Sequence, residues 1–186
     1  MSREESRAIT REKLLEAAFE LFGRDGYAGT SVENITEAAG FSKGAAYSNF
    51  ESKESIFLEV LERQGQASLD PLLRSLDHID DPDVALDHLA AWANDRSSGG
   101  SWSLTILEHA RTADPTSSSL KRQKEILRDH WQQLGRKLLD RFPNVEADAL
   151  TLGALLHEIA YAPAMTFVGE PKAGDLLRLA VRHILR

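Results

Sequence analysis

Residues 40 to 53, GFSKGAAYSNFESK, gather hydroxyls, a carboxamide and two ammonium groups, and between Gly40 and Phe50 the only charge is that of Lys43. Groups of this kind exchange hydrogen bonds with a polar surface. Bond-making needs more: a nucleophile beside a base, or converging metal ligands, and neither is legible in the chain. There are no cysteines, which excludes disulfides, thiolate zinc sites and cysteine nucleophiles. His157–Glu158 is followed by Ile159, Ala160 and Tyr161, so the second histidine of a zincin helix is missing. The run DHIDDPD at 77–83 lacks the glycine and the distal glutamate of an EF-hand loop and is expected to cap the following helix. No metal and no cofactor are expected, and no enzyme activity.

The elements that must hold these groups are short helices. Thr30 precedes Glu33 by three residues, a capping-box spacing that opens a helix ending at Ala39, where Gly40 permits a turn. Ser42 can cap a second helix carrying Tyr47 and Asn49, and Ser52 a third that starts at Lys53. Two short helices joined by a glycine turn form a helix-turn-helix, whose second helix can enter a DNA major groove. Charge is the counter-argument. The chain sums to −7, and residues 1–60 hold eleven acidic against seven basic side chains, whereas phosphate binding favours a basic surface. Position answers it: Glu12, Glu16 and Glu20 share one stripe of the first helix and are expected to face solvent away from DNA.

Apolar residues recur at three- and four-residue spacing throughout the 186 residues, and no alternating β-branched run is present. The expectation is an all-α chain of about nine helices. The first covers about 10–23, with Leu14, Ala17, Ala18, Leu21 and Phe22 on one face. Val32, Ile35, Ala38 and Ala39 form the apolar face of the second, and Ala46 and Phe50 that of the third. A fourth runs from 53 towards 69, with a kink or break at Pro71. The others fall near 82–95, 101–112, 117–141, 145–167 and 173–185, between separators rich in turn formers such as RSSGG and GEPKAG. No apolar run is long enough to span a membrane, and the charged start MSREESRAITREK lacks a secretory apolar stretch, so a cytoplasmic protein is expected.

The run from Thr10 to Val60 closely resembles the DNA-binding head of the tetracycline-repressor (TetR) family. The resemblance rests on Ala17–Ala18 before Leu21–Phe22, Gly26–Tyr27, Thr30–Ser31, Ala38–Ala39–Gly40, Ser42, Gly44, Tyr47, Phe50 and Ser52–Lys53–Glu54. Ala46 and Ile35–Thr36 depart from the commoner family residues, which should loosen the packing of the head. The resemblance implies a head over 1–52 and a ligand-binding and dimerisation domain over 53–186. It implies that Thr30 and Ser31 meet a phosphate at a helix start, and that Lys43 reaches a guanine edge or a phosphate. Gly44 would let the backbone approach beside Ser42, while Tyr47, Ser48 and Asn49 meet DNA and Lys53 clamps a phosphate.

The last two helices are apolar over a wide arc: Leu150, Leu152, Leu155, Leu156, Ile159 and Ala162, then Leu176, Leu177, Leu179, Ala180, Val181, Ile184 and Leu185. Such helices need cover on both sides, either within their own domain or from a second copy, and a homodimer through 145–166 and 173–185 is the expectation. Aromatic walls with a few polar groups describe a ligand pocket, and Trp92, Trp102, His130, His157 and Tyr161 are the expected lining. The resemblance implies a transcriptional repressor on a near-palindromic double-stranded operator, released by a small-molecule inducer. The rival reading is a constitutive DNA-binding dimer whose C-terminal domain takes no ligand.

Overall fold

The computed structural model describes residues 2–98, 101–166, 168–182 and 184–185, with Ser101 as backbone alone. Among them nine helices and no strand form: α1 (Arg3–Gly29), α2 (Val32–Ala39), α3 (Lys43–Tyr47), α4 (Lys53–Leu76), α5 (Pro82–Ser98), α6 (Ser101–Thr112), α7 (Ser118–Arg141), α8 (Ala149–Thr166) and α9 (Ala173–Val181). The chain divides into two compact units, Met1–Arg63 with Leu104–Gln123, and Gln64–Ser103 with Lys124–Arg186. The structural division therefore falls inside α4 rather than at 52/53, and residues 104–123 join the head from a distance in sequence. No described helix is long and apolar enough to cross a membrane.

In the first unit α1 begins well before the apolar stripe. Ser2 accepts a hydrogen bond from the Glu5 N–H at 3.0 Å, and the Ser2 N–H donates to the Glu5 carboxylate at 2.8 Å. This reciprocal cap satisfies two otherwise orphaned donors. Leu14, Leu15, Ala18, Leu21 and Phe22 are buried. At Gly26 the backbone leaves the helix with φ +74°, and Tyr27 folds back to stack on Phe22 with ring centroids 5.9 Å apart. Phe57 of α4 meets both rings edge-on, and its complete burial contributes roughly 2–3 kcal/mol. In α2 the buried residues are Val32, Ile35 and Thr36, while Ala38 is exposed; the Thr36 hydroxyl hides itself by donating to the Glu33 carbonyl at 2.9 Å.

The second unit packs around Leu69, Leu72 and Leu76 of α4, Leu86 and Leu89 of α5, Leu134 and Leu138 of α7, Leu152 and Leu156 of α8 and Leu177 of α9. Pro71 does not break α4. It sits on the exposed side, and buried Leu69, Leu72 and Leu76 anchor the helix before and after it. Asp81 accepts from the Asp83 N–H at 2.8 Å and caps α5, with Pro82 in the first helical position, so DHIDDPD does cap the next helix. That helix continues to Ser98, three residues into the expected RSSGG separator; Gly99 and Gly100 lie outside the described residues. Helix α8 starts at Ala149 rather than at 145, because Asp148 accepts from the Thr151 N–H at 3.0 Å and closes its first turn. Phe167, expected at its end, lies outside the described residues. Helix α9 ends at Val181, four residues short of its expected end.

Two glycines allow α7 and α8 to meet backbone to backbone. A Cβ on Gly135 would fall 1.8 Å from the Ala149 carbonyl oxygen, and one on Gly153 would fall 1.7 Å from that of Trp131.

Candidate nucleic-acid interface

The local chemistry of residues 26–53 explains how the surface forms. Ser31 rather than Thr30 caps α2: its hydroxyl oxygen accepts from the Asn34 N–H at 3.1 Å, and Asn34 Oδ1 accepts from the Ser31 N–H at 3.1 Å. The expected Thr30–Glu33 box is thus displaced by one residue. Thr30 is buried, and its hydroxyl donates to the Gly26 carbonyl at 2.8 Å, closing α1. That side chain is spent internally and offers nothing to a phosphate, whereas Ser31 stays at the surface.

Gly40 sits at φ +74° and ψ +31°, and the following Phe41 N–H reaches the Thr36 carbonyl at 2.8 Å. A Cβ there would meet nothing, so the requirement for glycine is conformational. Ser42 then caps α3, accepting from the Ala45 N–H at 3.3 Å. Ala46 is buried, which turns Ser42, Lys43, Gly44, Tyr47 and Ser48 outward; Tyr47 is 55% exposed. Lys43 pairs with Glu33 of α2. Among exposed side chains such a pair is worth little, and a phosphate can displace it.

Two residues that sequence reasoning missed set the end of α3. Arg7 donates to the Ser48 carbonyl at 2.6 Å and to Asn49 Oδ1 at 3.4 Å, and Arg11 donates to the Asn49 carbonyl at 2.5 Å. Arg11 also lies 4.1 Å from the Phe50 ring centroid and pairs with Glu59. The signal was present: Arg3, Arg7 and Arg11 recur at four-residue spacing along α1, one basic stripe on the helix. Asn49 is half-buried and donates its amide to the Ala45 carbonyl at 2.8 Å, so it braces the turn rather than reaching outward.

Lys53 also takes a different place from the expected clamp. Its ammonium donates to the carbonyls of Tyr27 at 2.9 Å and Thr30 at 3.0 Å and lies 4.1 Å from the Tyr27 ring centroid. Burial lowers its pKa, against the opposing fields of Glu54 and Glu108. Glu108 of α6 completes this corner by accepting from the Tyr27 N–H at 2.7 Å and the Ala28 N–H at 3.2 Å. A Cβ on Gly26 would lie 2.6 Å from that carboxylate.

In the second unit three of the expected ligand residues meet. Trp92 and His157 pack edge to face with centroids 5.0 Å apart. Arg96, which the sequence reading passed over, donates to the Tyr161 hydroxyl and lies 5.0 Å from the Tyr161 ring and 5.8 Å from the Trp92 ring. The indole N–H of Trp92 and Nε of Arg96 are buried without a hydrogen-bond acceptor among the described residues. His130 is buried against Gly65, where a Cβ would approach its Cε1 to 2.1 Å. Trp102 is half-buried at the start of α6. No group of three or more His, Asp or Glu among the described residues is placed to hold a metal ion.

His157 makes stability depend on pH. Burial drives its pKa down to about 3, assisted by Arg96 and His130 and opposed by its hydrogen bond to the Gly153 carbonyl. The unfolded chain takes up a proton near pH 6.5 while the folded chain refuses it, so this contribution is complete above that value and is lost as pH falls. Thermal midpoints should drop between about pH 6.5 and about 3, at up to about 1.4 kcal/mol per pH unit from this residue. A His157→Phe variant should lose that part of the dependence, and an identical profile would contradict the assignment.

A short outward-facing helix, carried on a glycine turn behind a capped helix and braced from α1, makes the head a helix-turn-helix domain. Residues 14–60 match the family described as bacterial regulatory proteins, tetR family. The likeness to this family is one of the head, over those residues. The uncharacterized HTH-type transcriptional regulator YfiR of Bacillus subtilis (strain 168) is 34% identical over 82 residues, which are 44% of this chain and 35% of that protein. The chain thus spans about a third of the length of this curated relative. Likeness in structure runs further. The TetR family transcriptional regulator PfmR from Thermus thermophilus superposes with a TM-score of 0.61 at 25% identity, over 93% of this chain and 97% of that one. The transcriptional regulator FadR from Bacillus subtilis, in complex with stearoyl-CoA, gives 0.71 at 14% identity over 94% and 97%.

Proposed function

We propose that the chain is a homodimeric, ligand-responsive transcriptional repressor that reads a near-palindromic operator in double-stranded DNA. The observation that carries this reading is the outward face of Ser42, Lys43, Gly44, Tyr47 and Ser48 on a helix whose inner side is the buried Ala46. Ser31 at the start of α2 supplies a phosphate contact, and exposed Arg7, held at the end of α3, adds a positive charge beside the same face. The acidic stripe Glu12, Glu16 and Glu20 is exposed, consistent with a face turned to solvent.

The dimer contact is assigned to residues 145–166 and 173–185. Leu155 and Met165 of α8 and Leu179 of α9 are exposed, Leu179 at 79%, and a second copy gives them cover. The inducer is assigned to the second unit, around Trp92, His157 and Tyr161 with Arg96, and with Trp102 and His130 in the same unit. The unpartnered donors of Trp92 and Arg96 favour a ligand that offers an acceptor. The stearoyl-CoA bound by FadR is an example of such a ligand in a similar fold. Release requires that the inducer bind the two dimer conformations with different affinity.

Fluorescence anisotropy against labelled DNA from upstream of the gene, with scrambled competitor and a salt series, tests the reading. Tight, competitor-resistant binding is expected; equal weak binding to every sequence, or none at low salt, would defeat it. Tyr47→Ala should weaken operator binding by roughly tenfold while leaving the slope of log affinity against log salt unchanged, because a neutral phenol releases no counterion. Because Tyr47 is exposed, its thermal midpoint should be unchanged.

A further inference from the structure

We propose that the first unit holds a second small-molecule site, a cavity beside His109 that takes a small organic cation bearing N–H or O–H donors. The cavity measures ≈ 410 Å³, within the range of small-ligand sites, and its walls include Tyr27, Ser52, Glu54, His109, Asp114 and Ser117. None of the five side chains expected to hold the inducer lines it.

His109 states the requirement most sharply. It is 1% exposed and packs against both the Tyr27 ring at 4.8 Å and the Phe57 ring at 4.7 Å. Gln123 donates its amide to the Ile106 carbonyl at 3.3 Å, which leaves Gln123 Oε1 as the acceptor facing His109 Nδ1. The imidazole therefore carries its proton on Nδ1, and Nε2 is a bare lone pair. Among the described residues that Nε2 is buried without a partner. A buried acceptor left unsatisfied is costly, and a donor that reaches Nε2 from the adjoining cavity relieves it.

Charge then selects the donor. Glu54 and Asp114 face the cavity. Burial pushes the Glu54 carboxyl up, but hydrogen bonds from its own N–H and the Ser52 and Tyr27 hydroxyls, with the field of Lys53, outweigh it and keep it ionised. The Thr116 hydroxyl and N–H hold the Asp114 carboxyl low in the same way. Glu108 adds a third carboxylate nearby. Against these stand the ammonium of Lys53, bound to two carbonyls, and the positive end of α7, worth roughly half a charge at Ser117. The balance is negative, and His109 is held neutral chiefly by burial. An ammonium near Glu54 that also donates to His109 Nε2 satisfies both.

The site needs no DNA for its test, so its failure is separable from failure of the proposed regulator. The full chain is titrated with ethanolamine and putrescine by calorimetry, with acetate and inorganic phosphate as controls, while the His109 ring nitrogens are followed by NMR. Saturable binding of an amine that moves the Nε2 resonance is expected. Glu54→Gln should weaken it roughly tenfold or more, the loss of one charge-assisted hydrogen bond. Asp114→Asn, on an exposed loop, gives a second reading should Glu54→Gln fold poorly. The proposal is overturned if neither amine moves Nε2, if only the anions bind, or if amine affinity ignores the carboxylate variants.

Discussion

Gly153→Val is expected to remove most of the stability of the second unit. A Cβ at this position would sit 1.7 Å from the Trp131 carbonyl oxygen, 2.5 Å from its carbon and 2.9 Å from its Cα. These are backbone atoms inside α7, not the tip of a side chain that can swing away. Relief demands that the two helices part, which opens the layer of Leu134, Leu138, Leu152 and Leu156. His157 also gives its Nδ1 proton to the Gly153 carbonyl, so displacement there disturbs its edge-to-face contact with Trp92. Overpacking alone costs about 1–3 kcal/mol, and an unyielding backbone contact goes beyond that, against a total of about 5–15 kcal/mol for a typical domain. Thermal unfolding by circular dichroism, with tryptophan fluorescence as the local probe, reads the loss. Gly169→Ala is the control, since a Cβ there meets nothing; it should shift stability by no more than about 0.5 kcal/mol. Equal midpoints for the two variants would contradict the close crossing.

Lys53→Met is expected to destabilise the head by about 2 kcal/mol while leaving the salt dependence of DNA binding unchanged. Methionine keeps the length of the stem but abandons the Tyr27 and Thr30 carbonyls, and the attraction to the Tyr27 ring goes with them. The sequence pointed to a phosphate clamp, and a clamp makes the opposite prediction: a slope lower by about one unit with little change in stability. Measuring both quantities on one variant separates the two roles.

The fold was largely legible because helical spacing of apolar residues is a local signal. Leu14, Ala18, Leu21, Phe22, Ile35 and Phe57 declare their faces without any partner in view. The errors lie where a tertiary partner overrides the local rule. Pro71 reads as a kink or break, yet the helix continues through it with buried leucines on either side. Thr30 reads as a cap until the kink at Gly26 turns its hydroxyl inward. The exposed part of the candidate interface, Ser42 to Ser48, followed from the turn and the buried Ala46. Arg7, Arg11 and Glu108 escaped notice because their roles depend on contacts 41, 38 and 81 residues away along the chain. Arg96 escaped for the same reason, being defined by Tyr161, which lies 65 residues further on.

The membership of residues 104–123 in the first unit has a consequence for how such a head can be exchanged. Thr105 closes the Phe22 carbonyl at 2.9 Å, Glu108 caps the bend after Gly26, and His109 packs against both Tyr27 and Phe57. A cut after α3 or early in α4 would carry off the presented side chains and abandon their support. Recombination between relatives, in a cell or on the bench, therefore does not find a freely portable cassette at the N-terminus. A hybrid that keeps its new specificity must inherit the matching stretch of α6 as well, and the two segments are constrained to change together.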